Sequence, residues 1–166
     1  MSQRRGRETA LDMIRTLAIV IAVVVPLWFF GQASNSDKAT IRPVDPSSAL
    51  KGFQLDTGAP VPTTPSGWVV TVARGDVGQV RIGYVVSKER YTEFSGGSGP
   101  TFLEDTTGKG KDRAALTING TVWHLYVSAD GHESLVRTIG KVTEVVGGIR
   151  EDVTQAELRA LAATVR

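Results

Sequence analysis

Hydrophobic positions along the chain fall into three regimes. Residues 16–36 carry no charge, and their densest part, Leu17 to Phe30, reads LAIVIAVVVPLWFF with no polar face. An apolar run of about 20 residues is what a helix needs to cross a hydrocarbon core of about 30 Å. Leu17, Val20, Val24 and Leu27 would face lipid, and Trp28, Phe29 and Phe30 stand at the far end, where an aromatic belt belongs. Residues 37–66 hold five of the seven prolines and read as an extended, semi-rigid linker. Inside it Asp45 is placed to cap one short helix, with Pro46 as its first residue and Ser47 to Lys51 forming a turn or two. From Gly67 the period shortens to that of strands.

The strand region divides at its turns. Trp68–Ala73 is β-branched, and Val80, Ile82, Tyr84 and Val86 alternate with Gln79, Arg81, Gly83 and Val85. Tyr91–Phe94 makes a third strand, and Ser95–Pro100, with three glycines and a proline, reads as a flexible turn. Phe102–Thr106 suits a helical turn, and Thr107–Lys111 a mobile loop. Asn119-Gly120 between apolar runs specifies a type I′ hairpin, because both central residues need positive φ. The register follows: Ile118 opposite Thr121, Leu116 opposite Trp123, Ala114 opposite Leu125. Ala114, Leu116, Ile118, Trp123, Leu125 and Val127 then share the core face. Ala115, Thr117, Val122, His124 and Tyr126 share the other, mixed face. Strands at Ser134–Ile139 and Val142–Val146 follow. Thr154 with Glu157 is a capping box, and Leu158, Leu161, Ala162 and Val165 fall on one face of a closing helix. The expected class is α+β: an N-terminal transmembrane helix, then an antiparallel meander of hairpins packed with a C-terminal helix.

Charge sharpens this division. The first 16 residues carry a net +2 and the rest of the chain is balanced, so the sequence pI of about 9.1 belongs to the tail. Four arginines before the apolar run and none close after it set residues 1–15 in the cytoplasm and residues 67–166 outside. The bilayer is then one partner, through residues 16–36. A cleaved signal peptide cut after Ala33 is the competing reading, and it leaves the domain on the same side. A neutral domain offers nucleic acid no basic patch.

Catalytic chemistry is thinly supplied. Cysteine is absent, which excludes disulfides, thiolate metal sites and a thiol nucleophile. His124 and His132 have no metal-ligand spacing around them. Gly96-Gly97-Ser98-Gly99-Pro100 fails the hydrolase elbow at its last position, and Gly108-Lys109-Gly110 fails the phosphate loop at both ends. Glu104 and Asp105 read as solvated carboxylates, and Asn119-Gly120-Thr121 as a turn rather than a glycosylation site. No catalytic residue, metal ligand or cofactor is expected. The remaining constellation is Val122, His124 and Tyr126 on one hairpin face, with Arg81 and Arg137 on other strands of the same sheet. It suits binding of an envelope protein, lipid or glycan; an envelope hydrolase with an unrecognised site is the alternative.

Several segments in order, Arg81-Ile82-Gly83-Tyr84-Val85, Asn119-Gly120 with Trp123 and Tyr126, Ser134-Leu135-Val136-Arg137 and Glu157 to Ala162, resemble the actinobacterial domain-of-unknown-function family 4245 over nearly the whole chain. That resemblance implies a membrane-anchored protein and carries over no catalytic residue. The meander with a closing helix is also similar, at the level of fold alone, to outer domains of Gram-positive membrane-bound regulators and to sheet-plus-helix domains related to a photosystem II extrinsic subunit.

Overall fold

The structure is a computed structural model, and it describes residues 41–87, 90–147 and 153–166. The expected anchor at 16–36 and the tail at 1–15 lie outside the described residues. Among the described residues, no helix is long and apolar enough to cross a membrane.

Residues from Ile41 to Arg166 form one compact unit. Its elements are α1 (Ser47–Thr57), β1 (Val69–Asp76), β2 (Gln79–Ser87), β3 (Arg90–Gly97), α2 (Phe102–Thr107), β4 (Lys111–Ile118), β5 (Thr121–Val127), β6 (Glu133–Ile139), β7 (Val142–Gly147) and α3 (Gln155–Ala162). The seven strands make one sheet in the order β1-β2-β3-β7-β6-β5-β4, antiparallel at every pairing. Two meanders, β1–β3 and β4–β7, therefore meet at the β3–β7 pairing. The connection from β3 to the far edge strand β4 must cross one face of the sheet, and α2 lies in that crossing, packed on β7.

The Asn119-Gly120 hairpin has the expected geometry. Both residues have positive φ, 49° and 78°, and the register pairs Ile118 with Thr121, Leu116 with Trp123 and Ala114 with Leu125. Alternation holds along β5: Trp123 is wholly buried, while Val122 and His124 are exposed. The closing helix carries its complete capping box, with Thr154 accepting from the Glu157 N–H and Glu157 accepting from the Thr154 N–H. Leu158, Leu161 and Ala162 are buried against the sheet.

Two expectations need correction. The Pro-rich stretch is not merely a linker. Its helix runs to Thr57 rather than stopping near Lys51, and Phe53 is 1% exposed in the core. The helix starts at Ser47 with Pro46, not Asp45, at the N-cap position; Asp45, one residue earlier, accepts from the Ser47 N–H and hydroxyl. Beyond the helix, Ala59 is buried and Pro62 bridges to Val165. Proline spacing marked the loss of regular structure but said nothing about the aromatic ring between the prolines. The second correction is Ser95-Gly96-Gly97, which continues β3 instead of turning. The reason is steric. A Cβ at Gly96 would stand 2.5 Å from the Phe53 ring, and one at Gly97 would stand 2.6 Å from the Phe102 ring. These glycines admit aromatic rings on opposite faces of one strand, the other common use of glycine in a sheet.

The sheet thus has two unlike faces. The core face carries Ile82, Phe94, Leu135, Trp123 and Val146, covered by α1 on the β1–β2 side and α3 over β6 and β7. One ion pair lies within it, Arg137 Nε to Glu144 Oε2 at 2.5 Å, with side chains 6% and 0% exposed. Arg137 also sits over the Trp123 ring at 4.6 Å. Burial pushes the Glu144 carboxyl above the usual carboxylate range, against the opposing pull of Arg137. Burial likewise raises the Tyr84 phenol. The opposite face is the more polar one, though Val136 and Val145 are buried in its middle, and α2 and the chain that follows it lie on this side.

Candidate functional site

The register places each expected site residue. His124 pairs with Val136, Val136 with Val145, Val145 with Ser95, and Ser95 with Arg81. Residues directly opposite each other share a face, so Arg81 and His124 lie on the same polar face. Val122 and Tyr126, two residues either side of His124, lie there too. The face is shared but the place is not. Four strand spacings of about 4.8 Å put Arg81 about 19 Å from the hairpin residues. Arg137 is on the other side of the sheet. It pairs with Glu144 in the buried row and is a core residue, so it does not join His124 and Tyr126. One residue of register separates the two outcomes: Val136 faces out and Arg137 faces in. Sequence alternation in β6 was ambiguous, because Leu135, Val136 and Arg137 are all buried.

At the hairpin end, Val122 is 53% exposed and Tyr126 half-buried. His124 Nδ1 lies 2.8 Å from Asp112 Oδ2 on the neighbouring edge strand, both side chains well exposed. This surface is open.

The concave part of the polar face is at the other end. Between the β1–β2 rim and α2 lies a cleft of about 730 Å³. That volume falls in the range of small-molecule sites, about 300–1,000 Å³. Polar side chains in its lining include Arg74, Asp76, Gln79, Arg81, Glu93, Ser95 and Asp105, with Phe102 at one wall. The buried Ser95 hydroxyl donates to Glu93 Oε1 at 2.6 Å, and Arg81 donates from Nε to Glu93 Oε2 at 2.6 Å. Glu93 therefore spends both oxygens on neighbours and fixes the direction of each. Arg74 lies directly opposite Arg81 across β1 and β2, and has no ion pair among the described residues. Phe102 closes the wall by packing on Gly97, and Asp105 projects from the same short helix.

Of this cleft, sequence reasoning had found only Arg81. Glu93, Ser95 and Gly97 alternate at period two, which is the signal for one face of a strand. The glycines masked it by resembling a turn. Asp105 was seen but read as solvated, since nothing local shows that α2 folds back over the sheet.

Among the described residues, no group of three or more His, Asp or Glu side chains stands where it could hold a metal ion. Ser95 sits in mid-sheet, where strand N–H groups on both sides are committed to the ladders with β2 and β7. The arrangement can orient polar groups toward a ligand; it does not aim a pair of free amides at a developing oxyanion.

No curated protein and no solved structure matches the chain. The model of one family, described as a protein of unknown function (DUF4245), matches residues 5–165. A match across nearly the whole length makes the chain a member of that family.

Proposed function

We propose that this chain is a cell-envelope protein of actinobacterial type, anchored by residues 16–36, whose outer domain works by binding and not by catalysis. The uncharged run behind an arginine-rich tail supports the anchor and its orientation, with residues 1–15 inside. The observation that carries the binding reading is the cleft of about 730 Å³, with Arg81, Glu93 and Ser95 already locked in one hydrogen-bonded set. Polar groups held in place before a ligand arrives lose little freedom when it binds. The ligand would be an envelope glycan, lipid headgroup or protein segment. The domain charge is balanced, which disfavours nucleic acid. The exposed surface of Val122, His124 and Tyr126 is a flat neighbouring contact rather than the ligand pocket.

Thr106 lines the cleft from α2. Replacing it with Trp should fill the space without touching the core face. Full-length protein in detergent is expected to bind members of an array of envelope glycans and headgroups, and Thr106→Trp to lose that signal with unchanged melting. Equal binding by both proteins would refute the cleft as the site. Turnover of an array ester or glycoside would move the protein to the hydrolase class.

Topology is tested separately. The chain has no cysteine, so a single introduced thiol reports alone. Val77, 86% exposed at the β1–β2 turn, is the position of choice; Ser134 is 3% exposed and unsuitable. Val77→Cys should react with an impermeant maleimide in wall-permeabilised intact cells, and Ser2→Cys only after lysis. The reverse pattern would overturn the orientation.

A further inference from the structure

Two arginines stand directly opposite each other in the cleft, Arg74 on β1 and Arg81 on β2. Like charges at such cross-strand positions repel. Glu93 answers only one of them, and only through Nε of Arg81. The terminal nitrogens of Arg81 and the whole guanidinium of Arg74 make no ion pair or side-chain hydrogen bond among the described residues. One guanidinium is therefore held in position by its inner nitrogen, with a second one beside it that is in no ion pair among the described residues, although the Asp76 carboxylate lines the same cleft. A planar fork of N–H donors matches an oxyanion, where a lysine ammonium would act as a point charge. The opposite wall differs. Asp105 offers an acceptor suited to hydroxyl donors, and Phe102 an apolar edge.

On the binding reading above, we propose that the cleft recognises an oxyanion carried on a polyhydroxylated body, that is, an acidic or phosphorylated sugar. Arg74 and Arg81 take the carboxylate or phosphate, and Asp105 takes hydroxyls. Glu93 is a positioning residue: it holds Arg81 and Ser95 and its two oxygens are already occupied. The carboxylates Asp76 and Asp105, neither in an ion pair among the described residues, disfavour a ligand that is anionic throughout, such as a polyphosphate chain, since they would repel charge extending past the arginines.

The test titrates full-length protein in detergent with glucuronate, glucose 6-phosphate, glucose and inorganic phosphate, by calorimetry and by backbone resonance shifts at Gly97 and Phe102. One or both acidic sugars should bind at least about tenfold tighter than glucose and than phosphate alone, and which of them does so identifies the oxyanion. Arg74→Ala and Arg81→Ala should each weaken that binding about tenfold with melting nearly unchanged, because both side chains are exposed. Arg81→Lys should not rescue it, since an ammonium cannot bind Glu93 and present a second fork together. Glucose binding as tightly as the acids, lost in Thr106→Trp but kept in both alanine variants, would overturn the oxyanion assignment and leave the binding cleft standing. Phosphate binding as tightly as the acidic sugars would overturn the sugar body. Absence of any cleft shift with all four probes, while Thr106→Trp still abolishes array binding, would overturn this assignment alone.

Discussion

The two faces of the sheet use charge in opposite ways. On the core face a single Arg137–Glu144 pair is sealed from water, 6% and 0% exposed, and packed against Trp123. On the polar face Arg81 and Glu93 make the same kind of contact with 53% and 21% exposed side chains, beside Arg74, which is in no ion pair among the described residues. The first pair is turned inward and makes one contact, Nε to Oε2, while Arg137 Nη2 and Glu144 Oε1 stay buried without a hydrogen-bond partner among the described residues. The second pair leaves donors facing an open cleft. Strand pairing alone brings both sets together, and what covers each face decides which becomes structure and which becomes a site.

The comparison breaks most sharply at the buried pair. Arg137→Ala strands Glu144 in an apolar surround, and loss of one partner of a buried pair destabilises by about 3–5 kcal/mol. Urea unfolding should show that loss; a value within the range of surface mutants would mean the pair is not sealed. Acidity sharpens the same point. The Glu144 carboxyl titrates above its ordinary value of 4.5 in the fold, because of burial. The native state then holds this proton more tightly than the unfolded chain does. Its contribution to stability is fully present below 4.5 and declines as the pH rises through the native value. Glu144→Gln should flatten that decline, and an unchanged pH profile would assign it to other groups. In Arg137→Ala the decline should extend to higher pH, because the arginine no longer opposes the effect of burial on the carboxyl.

Glycine replacements on β3 compare the two coverings directly. Gly96→Ala forces a methyl group against the Phe53 ring, which is 1% exposed and locked between α1 and the sheet. Overpacking of this kind costs about 1–3 kcal/mol. Gly97→Ala meets Phe102, a half-buried ring on a helix of only six residues. Its thermal shift should be the smaller of the two. Equal shifts would show that α2 is as firmly seated as α1.

What could be read from the sequence follows the same line. The Asn119-Gly120 hairpin and the Thr154–Glu157 capping box were legible because each is set by a few adjacent residues with one good geometry. The α+β class was legible from the change of period at Gly67. The role of Phe53 was hidden, since its partner Gly96 is 43 positions away and looked like a loop residue. The cleft was hidden for a related reason. It depends on strand order, which brings β3 beside β7 and sends α2 across the polar face, and local patterning does not encode strand order. The side taken by Arg137 was not legible, because β6 mixes polar and apolar residues on both faces and is buried on both, Leu135 and Arg137 on one and Ser134 and Val136 on the other.

At the edge of the core the expected effects become modest. Thr154→Ala removes the hydroxyl that accepts from the Glu157 N–H and should lower stability by about 1 kcal/mol. Glu157 also reaches Arg90 on β3 at 2.9 Å, so the cap ties α3 to the sheet as well as starting it. A variant melting like the parent would mean that the box adds nothing beyond the packing of Leu158 and Leu161.

The smallest change in stability should come from the site itself. Arg81→Ala removes an ion pair whose arginine is 53% exposed. Screened surface pairs contribute between 0 and about 1 kcal/mol. The loss is offset further because the substitution relieves repulsion from Arg74 across the β1–β2 ladder. Arg74→Ala relieves the same repulsion and breaks no ion pair, so it should leave stability unchanged or raise it slightly. The double variant should then cost about as much as Arg81→Ala alone, because either single substitution already removes the repulsion. Two arginines kept opposite each other at the expense of stability are what a site looks like when selection acts on binding. Equilibrium unfolding of the four proteins at low ionic strength, where repulsion is least screened, measures the coupling. A favourable coupling between the arginines would mean that they stack or share a hidden partner, and would remove the argument that they are held apart from the core for a ligand.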